Sequence, residues 1–436
     1  MASLHLIKMK IISAHEGKQH TNNALLGLLK FNVLSQHFTS YAANKDFFFP
    51  YLPKKLKDKF QKRLFAPELT DKITHFPMVF LWTQFIKSEY NRVRFSYKLF
   101  DKTVANYLKK ADFDIFLGFE NANLLSFKEA KKRGKITLLD LCSVHHSFQD
   151  PVLVTAGSYT DLEKVKYVSD LKQAAYEYTD YVTVVSQFAK STMIQAGFLA
   201  DRIYNLELGL NPAFLQPKKS YNTEGVFQLY FVGTLSLRKG LPLVVEVFKE
   251  LRLRGLDVEL TVLGPVDDFA VSNLNLPNCR YIPFVAQEKL VEIHHSLDLF
   301  IFPSYIDSWA QVVTEAMACG TPVLVSENTG AKDAVEQVNP DMVLPVGDAN
   351  AWVEAIEKYY HNRTLLKERG EKSATVAKQY TWERYHKQFF DALTDMYNRK
   401  SDSENEFKTT ENDEGTKAVH SKLVVPTESS IPTSAL

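Results

Sequence analysis

The stretch 297–326, LDLFIFPSYIDSWAQVVTEAMACGTPVLVS, decides how this chain is read. An apolar run with the character of a buried strand ends at Pro303-Ser304, and the loop behind it carries Asp307. A helical pattern beginning near Ala310 carries Glu315, and Gly320-Thr321-Pro322 stops it and opens a second apolar strand. A helix repeats every 3.6 residues, so an acid in the loop and an acid in the second turn can face one crevice at the carboxyl end of the first strand. Read structurally instead, Asp307 is a first-turn acid and Glu315 an exposed helix acid. That alternative gives no reason for the flanking Pro-Ser and Gly-Thr-Pro-Val.

Outward from this stretch, short apolar strands alternate with amphipathic helices, the pattern of parallel sheets wound with helices on both faces. Strands are expected at 6–13, 114–118, 135–141 and 181–186, and again at 227–234, 258–264, 281–285, 297–303 and 322–326. Segment 202–210 delivers the chain to Asn211-Pro212, where the composition turns polar. At 436 residues the chain is too long for one ordinary core. We therefore expect a first domain at 1–211, a linker at 212–225 and a second domain at 226–380. Thr381-Trp382 opens a last helical pattern over 381–398, and 399–436 is a Ser-, Thr- and Glu-rich tail expected to be disordered.

An apolar share of 45% and a charged share of 24% are those of a soluble globular protein. A net charge of +1 makes no general case for nucleic acid. Cys142, Cys279 and Cys319 fit neither a disulfide framework nor a zinc pattern, which reads as a reducing compartment. The opening MASLHLIKMKIISAHEG reads as a strand, since lysines interrupt it and no small-residue cleavage site follows. The longest apolar stretch, around 76–86, falls far short of the ~20 residues that span a bilayer. The expected location is cytoplasmic, or peripheral on the inner face of the cytoplasmic membrane.

Strand 227–234, FQLYFVGT, runs into LSLRKG and a helical pattern starting at Leu241-Pro242. Gly233 lets the backbone turn and approach a ligand, and Pro242 suits a first helical turn, where its missing N–H is not needed. The free amides of that helix start, with Arg238 and Lys239 beside them, suit a pyrophosphate. The alternative is a solvated basic turn.

Arg238-Lys239, followed about seventy residues later by Asp307 and Glu315, resembles the family 4 glycosyltransferases with their E-x7-E signature. The resemblance implies the GT-B fold: two Rossmann-like domains facing across a cleft, with a C-terminal helix crossing back to the first. It implies a retaining hexosyltransferase of the bacterial surface-polysaccharide type. Such an enzyme moves a sugar from a nucleotide-diphosphate sugar to a hydroxyl of a glycan or lipid-linked acceptor. Arg238 and Lys239 would serve the leaving diphosphate in place of a metal, so no cofactor and no metal are expected. Glu315 would accept from the ribose hydroxyls, as an acceptor-only carboxylate can, and Asp307 would meet the donor sugar. Where the family usually has Glu-Gly-Phe-Gly, this chain has Asp307-Ser308-Trp309-Ala310, with Ser308 and Trp309 against the donor. Gly330 would supply a turn near the phosphates, and Asp333 is either a site acid or a first-turn dipole partner. Phe284 and Val285 match the loop whose backbone meets the base, or are core.

In the first domain the loop 15–20, HEGKQH, resembles the one that faces the donor, with Gly17 as its glycine. His145, favoured slightly over His146, matches a histidine near the donor sugar; the alternative is a surface residue. Ser186 reads as an N-cap. Asp112-Phe-Asp114 is a D-x-D without the context that would give it a metal. Between Lys45 and Lys110 there are fifteen Lys/Arg against six Asp/Glu, interleaved with aromatics. Such a face suits an anionic membrane surface, or is simply solvated. The rival functions are a GT-B-fold epimerase or hydrolase and a non-catalytic nucleotide-sugar-binding partner.

Overall fold

A computed structural model describes residues 9–413 except 19, 46–48, 52, 55, 56, 58, 59, 61, 62, 84 and 160. Two all-parallel sheets organise them. The first holds β1 (Ile11–Ala14), β2 (Leu34–Thr39), β3 (Ile73–His75), β4 (Ile115–Phe119), β5 (Ile136–Leu141), β6 (Tyr181–Val184) and β7 (Ile203–Asn205) in the order β3-β2-β1-β4-β5-β6-β7. The second holds β8 (Phe227–Val232), β9 (Val258–Leu263), β10 (Cys279–Ile282), β11 (Leu299–Phe302), β12 (Val323–Ser326) and β13 (Val343–Leu344) in the order β10-β9-β8-β11-β12-β13. Strands buried on both faces need no alternation, which is why IFLGF, FQLYFV and LFIF read as near-continuous apolar runs.

Strand order reverses between β1 and β4 and between β8 and β11. Ligands of open parallel sheets sit outside the carboxyl ends of the strands at such a reversal. The segments after β1 and β5 and those after β8 and β11 line the two sides of one cleft.

Four strands fall outside the sequence expectations. β2 carries polar Ser35, Gln36 and His37, β3 and β13 are three and two residues long, and β7 lies in the segment read as a connector. Each exists through pairing to a neighbour distant in sequence. The last helix, Trp382–Asp413, runs well past the expected end at 398. Its packed part nucleates it, and with neither Gly nor Pro before Gly415 each further residue costs little to add. Residues 414–436 of the expected tail lie outside the described residues.

That helix lies on the first domain. Phe390 stacks on Phe31 with ring centroids 4.2 Å apart, and His386 bonds the Asn23 carbonyl at 2.9 Å. Across the cleft, the Asp333 carboxylate accepts from the Gln187 amide at 2.7 Å, at the start of helix Gln187–Gln195. Ser186 caps that helix through the Ala189 amide, as its sequence position predicts. Gly330 sits where a β-carbon would lie 1.8 Å from the Ser308 carbonyl oxygen and 2.6 Å from Ser186 Oγ, so only glycine lets these segments meet.

Candidate active site

Helix Leu241–Leu253 follows β8 and starts at Gly240, where φ is +75° and a β-carbon would lie 2.0 Å from the Pro303 carbonyl oxygen, so no side chain is admitted. The turn ahead of it carries Arg238 and Lys239. Tyr305 N–H and Ser304 Oγ both donate to the Arg238 carbonyl, at 2.9 and 3.2 Å, which ties this turn to the loop after β11. That loop brings Asp307 onto Lys239 in a close ion pair, with Arg238 3.9 Å from the same carboxylate oxygen. The Arg238 guanidinium also donates to the Ile306 carbonyl at 3.1 Å, and the Lys239 ammonium stands 4.9 Å from the centre of the Phe302 ring. Burial disfavours the ionised form of Asp307, but Lys239 and Arg238 outweigh it and hold the carboxyl below the usual range. The Lys239 ammonium is pulled below its ordinary value, chiefly by burial, with Asp307 opposing.

The cations expected at a diphosphate are thus paired with the acid expected at a sugar. Separate motifs in the sequence become one cluster in the structure, at the β8/β11 reversal.

Helix Gln311–Ala318 begins just beyond. Its N-cap, Ala310, has φ +66°, the left-handed region that glycine adopts freely and alanine does not. Glu315, one turn behind Gln311 on this helix, is half-buried and has no hydrogen-bond or ion partner among the described residues. Burial pushes its carboxyl up to about 7.

Gly233, Thr234, Arg238, Lys239, Asp307 and Trp309 line a cavity of about 550 Å³, together with Gln311 and Val312 from the helix start. First-domain residues His20, Asn23, Cys142 and Leu208, and Trp382 of the last helix, close its other side. A second cavity of about 430 Å³ shares Cys142, Arg238, Asp307 and Ser308 with it and extends along Ser143, Gln149 and Tyr159.

Ser308 and Trp309 line the cavity and also make structural contacts, while several other expected site residues stand elsewhere. Ser308 Oγ donates to the Cys142 carbonyl at 2.6 Å, so its hydroxyl joins the two domains. Trp309 is buried with its ring 5.4 Å from that of Tyr380. Gly330 donates its N–H to the Asp307 carbonyl at 2.8 Å and acts through close approach of backbones. Gly17 turns back on the His15 ring, and it is His20 from that loop that reaches the cavity, its Nε2 3.1 Å from Asp140. His145 is 3% exposed and caps helix His146–Thr155; its ring packs with His146, Tyr176 and Phe198 behind the cleft wall. Burial, with His146 adding, lowers it to about 4. β10 ends at Ile282, leaving Phe284 79% exposed with Val285 in the following loop. Asp112 pairs with Lys10 and Asp114 accepts from the Lys10 amide at 2.9 Å, at the amino end of β4 and so opposite the cleft. No three His, Cys, Asp or Glu among the described residues are grouped to hold a metal.

The sequence reading set loop 15–20 toward the cleft, where His20 stands, but passed over the acids behind the first-domain wall. The available signal was an acid inside or just after an apolar strand: Asp140 in ITLLDL and Glu120 after IFLGF.

Two parallel Rossmann-like sheets with their reversal points facing across a cleft, and a C-terminal helix returning to the first, define the GT-B fold. Sucrose-phosphate synthase from Thermosynechococcus elongatus has it too, with a TM-score of 0.65 at 17% identity over 90% of this chain and 100% of that one. So does Anabaena Alr3699/HepE, solved in complex with UDP-glucose, with a TM-score of 0.58 at 14% identity over 89% and 100%. Residues 214–379 match the family Glycosyl transferases group 1. The chain is 27% identical to the D-inositol 3-phosphate glycosyltransferase of Paenarthrobacter aurescens, over 38% of this chain and 44% of that protein. It is 22% identical to the O-antigen chain mannosyltransferase B of Escherichia coli, over 54% and 66%. It thus spans less than half the length of the first of these relatives.

Proposed function

We propose that this protein transfers a sugar from a nucleoside-diphosphate sugar to an acceptor hydroxyl, with retention of configuration, in the assembly of a surface polysaccharide or glycolipid. The observation that carries the reading is the meeting of Arg238, Lys239 and Asp307 in one interdomain cavity, beside a helix that carries an unpaired Glu315. An ionised Glu315 offers acceptor oxygens to two vicinal ribose hydroxyls. Arg238, Lys239 and the start of helix Leu241–Leu253 can take the diphosphate charge as the glycosidic bond breaks. The Lys239–Asp307 pair then has a function: a diphosphate can exchange for Asp307 on the cation and release the carboxylate toward a sugar hydroxyl. This chemistry needs no metal, so turnover should survive a chelator. The Escherichia coli relative is named for O-antigen chains, and the Anabaena neighbour was solved with UDP-glucose, which supports the donor and product classes.

A thermal-shift screen against UDP, GDP, ADP and their sugar conjugates tests the donor side. A ligand at 100 times its dissociation constant adds about 2.7 kcal/mol of stability. One nucleotide should stabilise the wild type and not Glu315→Ala; silence from all of them would end the proposal. The anomeric proton of the product, read by NMR, decides retention.

The reading includes work at the cytoplasmic face of a membrane. No helix among the described residues is long and apolar enough to cross one, so attachment would be peripheral. Helix Glu89–Leu108 exposes Arg92, Arg94, Lys98 and Lys102, while its Glu89 pairs with Lys164 and its Asp101 is buried, capping Leu125 and Ser126. Beside it Met78, Trp82 and Phe85 are exposed, the last at 83%. Cations with exposed aromatics suit an anionic bilayer surface. Co-sedimentation with phosphatidylglycerol vesicles, weakened by salt and by Trp82→Ala with Phe85→Ser, is the expected result. Equal recovery with and without vesicles would remove the membrane from the reading.

A further inference from the structure

We infer that Glu120 and Lys172, which lie behind the first-domain wall and touch neither cavity, are positioning residues for the Asp307 loop. This rests on the proposed function of that loop. Glu120 follows β4 at its carboxyl end, and Lys172 projects from helix Leu162–Tyr176. They form a close ion pair whose side chains are 6% and 8% exposed. The same carboxylate accepts from Ser143 Oγ at 2.6 Å and lies 3.6 Å from the Cys142 thiol, which fixes the segment after β5. Cys142 in turn presents its carbonyl to Ser308 Oγ.

Asp307 therefore sits between two residues that the first domain holds. Ser308 is bonded to Cys142, and Ile306, 3% exposed, packs into the first-domain core with Val144 and Leu153. Within its own domain the loop is tied by its backbone, with Asp307 N–H donating to the Asn328 carbonyl at 3.0 Å and Gly330 N–H to that of Asp307. The height of the Asp307 carboxylate over Lys239 is thus set from both sides of the cleft, and the Ser308 tie on the first-domain side leads back to one ion pair. A buried ion pair is a poor source of stability, because desolvating two charges offsets most of their attraction. It does fix direction: a charged carboxylate with two donors on it holds the 142–143 segment in one pose. Displacements of about an ångström at a reacting centre can cost up to a hundredfold in rate, so a device of this kind has something to protect.

The test uses the full chain and the variants Glu120→Gln, Ser308→Ala, their combination, and Glu120→Gln with Lys172→Met. The last removes both charges, in case a lone buried lysine prevents folding. Amide hydrogen exchange in peptides covering 305–311 is the first readout, because it reports on the opposite domain. Exchange there should quicken in Glu120→Gln and in Ser308→Ala, and the combined variant should be no faster than the quicker of the two. Stabilisation by UDP, GDP or ADP should be retained in all, while kcat with the matching sugar donor falls about tenfold. A lower Tm with unchanged exchange at 305–311 and unchanged kcat would overturn the inference, leaving the pair a purely structural one. Strictly additive effects of Glu120→Gln and Ser308→Ala would overturn it too. A wild type that no nucleotide stabilises would count against the proposed function, and the exchange comparison would still decide this inference.

Discussion

The two walls of the cleft are built from the same unit, a parallel strand whose carboxyl end opens into a loop, yet they do different work. The second-domain wall brings charge to the cavity itself: Arg238, Lys239 and Asp307 line it. The first-domain wall keeps its charge behind the surface. Glu120 and Lys172 are buried together, and Asp140 is held by His20, which alone of these four lines the larger cavity. One wall presents charge to the cavity; the other presents fixed surfaces to it. Charge that must act on a ligand has to face it, whereas charge that orients backbone works best out of water, where its hydrogen bonds are strongest.

The largest effect we expect tests the charged wall. Lys239→Ala and Arg238→Ala should each lower turnover by roughly a hundredfold or more, the scale on which losing a charge-stabilising donor acts. His20→Ala, on the other wall, should cost clearly less. Equal losses in initial rate would erase the distinction between the walls.

Next is Asp307→Asn, which leaves Lys239 buried opposite a neutral group. Removing one partner of a buried pair costs about 3 kcal/mol or more, so Tm should fall by several degrees. Adding Lys239→Met should return much of the loss; an unchanged Tm in Asp307→Asn would mean that the pair is effectively solvated.

Glu315 gives a pH dependence whose sign is fixed. Its folded pKa, about 7, lies above the ordinary carboxyl value. The fold therefore favours the protonated form, and the site's contribution to stability declines as pH rises from the ordinary value through 7. Nucleotide binding should run the other way, since only the ionised form is purely an acceptor. Between pH 6 and pH 8 the ionised fraction grows about tenfold, and affinity by titration calorimetry should follow. Glu315→Gln should flatten that profile, and a profile flat in the wild type would take the ribose role from Glu315.

The smallest effect concerns Ala310. A left-handed alanine costs about 1–2 kcal/mol, of which glycine recovers part after its greater loss of chain entropy. Ala310→Gly should raise stability by ~1 kcal/mol in chemical denaturation. A loss would mean that the Ala310 methyl group, itself buried, contributes more by packing than its backbone costs.

How much was legible follows the length scale of each feature. The second domain's strands and its site acids lie within single strand–loop–helix units, where a 3.6-residue period and a stop signal place a side chain to within a turn. Gly240 and Gly330 are likewise set by contacts, but glycine in a loop at least announces them. Asp333 stands in the first turn of helix Lys332–Val338, one of its two expected places, and the fold adds a contact neither reading contains: it accepts from Gln187 across the cleft, and burial raises its carboxyl to about 6. His145 failed as a cleft residue because a loop histidine's exposure depends on what packs over it, here Tyr176 and Phe198.

The amino-acid sequence by itself determined the alternation of strands and helices, the division into two domains and the identity of the charged groups on the second wall. Local periodicity and short spacings fix these, and both are written along the chain. Only the tertiary structure decided that Lys239 pairs with Asp307, that Ser308 bonds Cys142 from 166 residues away, and that His20 and not His145 reaches the cavity. Those outcomes depend on how two sheets face each other, and no period within either half of the chain encodes the distance between them.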